Sequence, residues 1–464
     1  METRNEGIYD GFKQLGTGKM MVLGLQHVFA MFGATVLVPI LTGLSVSVTL
    51  LCAGLGTLWF YFITKRKIPI FLGSSFAFLA AFGTIAPFVD GNPNMEMLPY
   101  ATLGVFAAGL IYVVLAILFK IFGAKRIMKL FPPVVTGPII VLIGLNLAGS
   151  AIANAQANWI LAIIAIAIII CVNLFGKGMI KILPILIGII GSYLVALLVS
   201  IICGPNWLGL SWMNLSSTGL YSDIAINGFS DIIAIPPVLD YTPFFGNNAV
   251  SWSNPTVWTS IITFVVVAVA AMVEHIGDIC AIGATCGKNF IKDPGLTRTL
   301  LGDGIGTSLA GFLGGPANTT YSENTGVVAL TKVYDPKVML IAACMTLVLS
   351  FVAIFETFIQ TIPTAIIGGI SIVLYGMISA TGVRTIVENK VDFKKFRNII
   401  VAALILVAGL GFATYPVQIP LGDGYVMSFG GLACAAVIGI VINAILPGKD
   451  YEFDADVEQE KAEG

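Results

Sequence analysis

The chain has 464 residues, of which 57% are hydrophobic and only 11% charged, against about 25% charged in ordinary soluble domains. So little charge cannot coat a water-facing surface of this size, and the composition implies a lipid solvent. A net charge of −1 leaves no basic footprint for nucleic acid, and the seven cysteines show neither CxxC nor any other metal-binding spacing.

Residues 1–19 are polar and lack the pattern of a cleaved signal peptide, so the first apolar run is predicted to stay as a membrane helix. Apolar segments follow at 20–44, 46–64, 70–88, 99–121, 131–152, 158–176 and 179–202. The polar stretch 203–255 is too long for a tight connection and is expected to cover the outer face. Seven more segments lie at 256–284, 297–315, 318–331, 337–360, 362–383, 397–414 and 426–447. The acidic tail 448–464 is expected to be disordered. The reading is an all-α polytopic membrane protein with fourteen transmembrane segments.

Charge placement supports that count. If residues 1–19 are cytoplasmic, every second loop should collect Lys and Arg. The N-terminal segment, the even-numbered loops and the tail together hold all 24 of them. A miscounted helix would have moved the later clusters to the other side. Both termini are thus expected in the cytoplasm.

Fourteen spans divide into two sets of seven, and an odd number per set inverts one against the other. Gln26-His27 in span 1 corresponds to Glu274-His275 in span 8. The same separation carries Ser75 of FLGSSFAF onto Glu323 of YSENTG. PPVVTGPIIVLIG (132–144) likewise matches PTAIIGGISIVLY (363–375). Inverted repeats are a carrier architecture, with the site near the midplane at the repeat interface. Spans 3 and 10 are short and rich in Gly, Ser, Thr, Asn or Pro. Such backbone is tolerated at membrane depth only where it is buried in protein or lines a cavity.

Ionisable groups inside spans are costly and usually functional. Glu274 and Asp278 are four residues apart and share a helix face, while Glu323 lies in interrupted span 10. Burial of such a carboxyl favours its protonated form, so it can hold and exchange a proton. When ionised, it accepts N–H bonds from a ligand. Asp303 in span 9, Glu356 near the outer end of span 11, and His27 read more simply as helix-tying groups. No Lys or Arg falls in the middle of a span, which weakens an anionic substrate.

GLQHVFAMFGATVLVP, GSSFAF, EHIGD, KDPGLTR and PANTTYSENTGVVALTK resemble the nucleobase–ascorbate transporter (nucleobase:cation symporter 2) family, specifically its bacterial uracil permease branch. The resemblance runs from about residue 20 to 447. In span 10 the family signature appears as Glu323-Asn324-Thr325-Gly326 and then Thr331. The resemblance implies a core domain (20–121 and 256–360), a gate domain (122–202 and 361–447), and short antiparallel strands in spans 3 and 10. It also implies a homodimer in the bacterial cytoplasmic membrane that imports uracil with a proton by an elevator-like motion. No cofactor or metal is implied.

Residue by residue, Glu274 and Glu323 match the family's substrate-binding glutamates. Phe76, Tyr321 and Ser322 match positions around the base, with the amides of Phe76 and Ser322 as donors. Ala34 and Tyr375 match pocket-lining positions. Glu274, Asp278 and Glu323 are the candidates for proton coupling. Asp278 falls where close relatives carry a histidine, and Ser322 where they carry a glycine. Both departures touch the detailed proton path and the pocket. The alternatives are a xanthine or urate permease of the same family, an anion exchanger of the same fold, and a passive channel. An intramembrane aspartyl protease fails because Leu300 stands where its motif requires a different residue before Gly302-Asp303.

Overall fold

The computed structural model describes residues 7–448 and Tyr451, apart from 124, 125, 128, 179, 204–231, 247, 423 and 424. Most of the long outer stretch and nearly all of the acidic tail therefore lie outside the described residues.

The chain order repeats. The first half runs α1 (Gly11–Thr42), α2 (Val46–Ile63), β1 (Leu72–Ser74), a single 3-10 turn Phe76–Phe78 continuing into α3 (Leu79–Ile85), α4 (Leu98–Phe122), α5 (Pro133–Ala155), α6 (Trp159–Phe175) and α7 (Pro184–Cys203). The second runs α8 (Thr256–Cys286), α9 (Leu296–Phe312), β2 (Asn318–Thr320), α10 (Ser322–Thr331), α11 (Lys337–Ser350), α12 (Thr364–Glu388), α13 (Phe396–Thr414) and α14 (Gly431–Ile445). Each half has the same frame of two helices, a strand with a short helix, then four helices, to which the second half adds the short helix Ala353–Gln360 and a hairpin before α14. Among the described residues, seven helices (α1, α2, α4, α5, α8, α12 and α13) are long and apolar enough to cross a membrane.

Helices gather into two groups. In one, α4 packs on α8 and α9, α2 on α9 and α11, and α1 on α11. In the other, α5 packs on α12 and α13, α6 on α7 and α12, and α13 on α14. Lipid tails are as apolar as leucine, so burial does little to drive helix against helix. Close van der Waals packing over small residues does that work instead. A Cβ at Gly109 of α4 would strike Gly304 and Ser308 of α9, and one at Gly382 of α12 would strike Gly137 and Val141 of α5.

Strand β1 pairs antiparallel with β2, in the register Leu72↔Thr320, Gly73↔Thr319 and Ser74↔Asn318. Two short strands inside an apolar protein leave unpaired edges, and each unmet backbone group costs several kcal/mol. Neighbouring helices meet them. Leu72 N–H donates to Thr57 Oγ1 at 2.9 Å, and the same hydroxyl donates to the Leu72 carbonyl at 3.1 Å. Thr307 Oγ1 donates to the Asn318 carbonyl at 3.0 Å, while the Asn318 amide donates to the carbonyls of Cys52 and Gly306 at 3.1 and 3.3 Å.

Three boundaries differ from the expectation. Helix α1 begins at Gly11 rather than near residue 20, and Gly16, with φ 79°, breaks it early. The predicted span 337–360 is two helices, because Val352 leaves the helix to bridge Ile233, and a separate short helix Ala353–Gln360 follows. A hairpin of β3 (Val417–Gly422) and β4 (Tyr425–Phe429) precedes α14, where the apolar residues from 426 had suggested helix.

Candidate functional site

The strand pair divides the molecule's interior. The 3-10 turn leaves β1 at Phe76, and α10 leaves β2 at Ser322. Neither helical start has a side-chain cap. The first amides of a helix have no partner within it and carry partial positive charge. Two such starts therefore sit beside one short sheet.

Helix α8 brings the acids there. Asp278 is buried, and its carboxylate accepts a hydrogen bond from Thr320 Oγ1 at 2.6 Å and one from Ser322 Oγ at 2.6 Å. It thus ties α8 to the last residue of β2 and the first of α10. Glu274, half-buried one helical turn earlier, interacts electrostatically with Asp278, Glu323 and Asp303. Glu323 is half-buried in the first turn of α10. Beside these carboxylates there is room. Gly277 and Gly326 are exposed, and a Cβ at either would meet nothing within 4 Å.

Other polar groups hold the scaffold. Tyr321 is 3% exposed; its hydroxyl donates to the Ser74 carbonyl at 2.8 Å and accepts from Thr35 Oγ1 at 3.2 Å. Its ring lies so close over Gly73 that no Cβ fits there. The Asn324 amide donates to both Nδ1 and the carbonyl of His27, each at 3.1 Å, fixing α10 to α1. His275 Nδ1 lies 3.0 Å from Asp303 Oδ2, both groups fully buried between α8 and α9. Glu356 accepts from Ser45 Oγ, Val46 N–H and Ser47 N–H at 3.1, 3.0 and 3.3 Å, and also from Ser47 Oγ, capping α2 from outside its own helix.

One cavity, of about 770 Å³, is lined by the C-terminal parts of α1 and α5, by α3, and by residues of α8, α12 and α14, including Asn146, Ser150 and Tyr375. The second, of about 670 Å³, lies along α10 and is lined by Glu323, Gly326, Ala329 and Leu330, with Lys177 and Lys181 from the α6–α7 connection.

Residues 18–418 match the family described as the permease family. A uracil permease of Bacillus caldolyticus is 37% identical over 454 residues, covering 96% of this chain and 96% of that protein. The chain belongs to this family, the nucleobase–ascorbate transporters. A uracil permease of Bacillus subtilis (strain 168) is 38% identical over 444 residues, 93% of each chain. The transmembrane domain of the cyanobacterial bicarbonate transporter BicA has a similar fold, with a TM-score of 0.55 at 17% identity over 94% of this chain and 98% of that one. The chain is thus a multi-pass membrane permease and not an enzyme.

In this permease the structure groups Glu274, Asp278, Ser322 and Glu323 around the strand pair, with half-buried Phe76 at the opposing helical start. Ala34 of α1 and Tyr321, which precedes Ser322, are buried. Tyr375 is buried on α12 and lines the larger cavity. Sequence reasoning missed Thr320 as the second partner of Asp278. Its position, two residues before Ser322 in an interrupted span, was the available signal. Lys177 and Lys181 were counted only as loop charge.

Proposed function

We propose that this permease is a uracil:proton symporter that imports uracil across the cytoplasmic membrane. The observation that carries the reading is the pair of glutamates, Glu274 and Glu323, beside open space at two uncapped helical starts. Uracil is flat and neutral, with two N–H donors and two carbonyl acceptors. Carboxylates accept the donors, and the free amides at Phe76 and Ser322 serve the carbonyls. A site built on such bonds rejects analogues that leave a buried group unpaired. The names of the relatives, uracil permeases, favour the same substrate.

A proton on the acid group, with Glu274, Asp278 and Glu323 titrating as a set, accompanies uracil inward. In this reading the group containing α1–α4 and α8–α11 is a mobile core. The group of α5–α7 and α12–α14 is a static gate and the seat of a homodimer. The core slides against the gate, exposing the centre first to the larger cavity and then to the smaller. The Lys- and Arg-bearing loops and both termini face the cytoplasm.

Uptake of radiolabelled uracil into proteoliposomes, with and without an inward proton gradient, tests this. Accumulation above equilibrium only with the gradient is the expected result. Equilibration regardless of the gradient overturns proton coupling. An absence of uracil uptake, with uptake of xanthine or urate by the same folded protein, overturns the substrate.

A further inference from the structure

The two cavities differ in charge. Among its lining residues the larger one has no Lys, Arg, Asp, Glu or His. The smaller has Glu323 together with Lys177 and Lys181. Both lysines are exposed, and both belong to the α6–α7 connection, in the helix group opposite the one that carries Glu323. The connection packs against α10, and the lysines line one cavity with Glu323 where the two helix groups meet.

We propose that Lys177 and Lys181 form a cationic release mouth, which stabilises the carboxylate left on Glu323 when the coupling proton departs. This rests on the symport reading above. The step is a simple proton transfer. The O–H bond of the Glu323 carboxyl breaks, water in the cavity takes the proton, and the electron pair stays on the carboxylate. Charges of one sign lining a cleft with low-dielectric walls focus their field into it. The groups facing Glu323 from other elements act in the opposite sense or are already engaged. From α8, Glu274 and Asp278 are acids, and Asp278 is held by Thr320 and Ser322. His275 lies against Asp303, and His27 of α1 is bound to Asn324. Lys177 and Lys181 are the cations of this cavity among its described lining residues. No such cations line the larger cavity, so proton release is favoured at one end of the molecule and not at the other.

The test compares two modes of transport by the full-length protein in proteoliposomes. Net uracil uptake driven by a proton gradient requires the carrier to shed its proton inside. Exchange of labelled for unlabelled uracil at equal pH lets the carrier return loaded. In the double substitution Lys177→Gln, Lys181→Gln, net uptake is expected to fall about tenfold while exchange stays within about twofold. The double substitution to Arg keeps the charge and restores net uptake. Raising lumenal salt from about 0.01 M to about 0.15 M shortens the screening length from about 30 Å to about 8 Å and moves the unsubstituted protein toward the Gln variant. Unchanged net uptake in the Gln variant overturns the proposal. So does an equal fall in both modes, or an Arg variant as slow as the Gln variant. A failure of the symport reading is seen separately, as gradient-independent uptake by the unsubstituted protein.

Discussion

Asp278 and Ser322 carry the residue-scale lesson. Both depart from what close relatives are expected to hold, and in this chain the two side chains are hydrogen-bonded to each other at 2.6 Å. A hydrogen bond to a charged group contributes about 1.5–3 kcal/mol, and leaving one partner unmatched in a buried site costs more than removing both. Ser322→Ala and Asp278→Asn are therefore each expected to weaken uracil binding about tenfold. The double variant should lose little more than the worse single one, a coupling of about 0.5–3 kcal/mol. Calorimetric titration of the four proteins in detergent checks this, and additive losses would show that the pair does not act as a unit. The pairing was not legible in the sequence, because nothing in the spacing of EHIGD and YSENTG fixes how a helix meets a strand end. The acids themselves were legible, since a carboxyl in an apolar run has few other reasons to be there.

At the scale of elements, short pieces are held by groups far away in sequence. Glu356 lies in the helix Ala353–Gln360 but caps α2. Glu356→Gln removes the charge that faces the positive end of α2 and weakens up to four bonds. It is expected to lower stability by about 1–2 kcal/mol, read as a fall in apparent melting temperature in detergent with uracil binding retained. The N-terminal strap is a second case. Ile8 N–H donates to the Lys332 carbonyl and Tyr334 N–H to the Ile8 carbonyl, both at 2.8 Å, and Gly11 N–H donates to Asp335 Oδ2 at 2.9 Å. Tyr9 hydroxyl donates to the Cys286 carbonyl at 2.8 Å. The strap thereby joins the ends of α8 and α10, the helices that carry Glu274 and Glu323. Ile8→Pro deletes one of these donors; faster hydrogen exchange at residues 332–335, with the rest of the fold unchanged, is the expected outcome. Protection equal to that of the unsubstituted chain would mean the strap does not anchor α10. The sequence showed interrupted spans 3 and 10 from composition. It did not show the break at Val352 or the β3–β4 hairpin, because both rest on backbone partners elsewhere or on a turn inside an apolar stretch.

At the scale of the whole molecule, contacts gather the lysine- and arginine-bearing loops at common ends. Lys67, after α2, is ion-paired with Asp293 in the α8–α9 connection, and Arg298 donates to the Ile63 carbonyl at 3.3 Å. Arg397 donates to Asn443 Oδ1 at 2.6 Å, and the Asn443 amide donates to the Lys129 carbonyl at 3.3 Å. If this end is cytoplasmic, Lys181→Cys should react with a membrane-impermeant thiol reagent only from the cytoplasmic side. Thr84→Cys, in the larger cavity, should react only from the outside, each measured against the unsubstituted chain. Labelling on the reversed sides would invert the orientation proposed here.

By itself the sequence determined the lipid solvent, the succession of apolar segments and the clustering of charge between them. These follow from composition and local order, and the free energy of placing apolar or charged residues in lipid depends little on neighbours. It also singled out Glu274, Asp278 and Glu323 as the carboxyls to look for in apolar or interrupted segments. Tertiary structure alone decided that Thr320 and Ser322 grip Asp278, that Tyr375 lines the larger cavity, and that Lys177 and Lys181 share a cavity with Glu323. Those relations join groups from separate parts of the chain. They depend on glycine-mediated helix packing and on strand register, and neither leaves a period or spacing to be read along one strand of sequence.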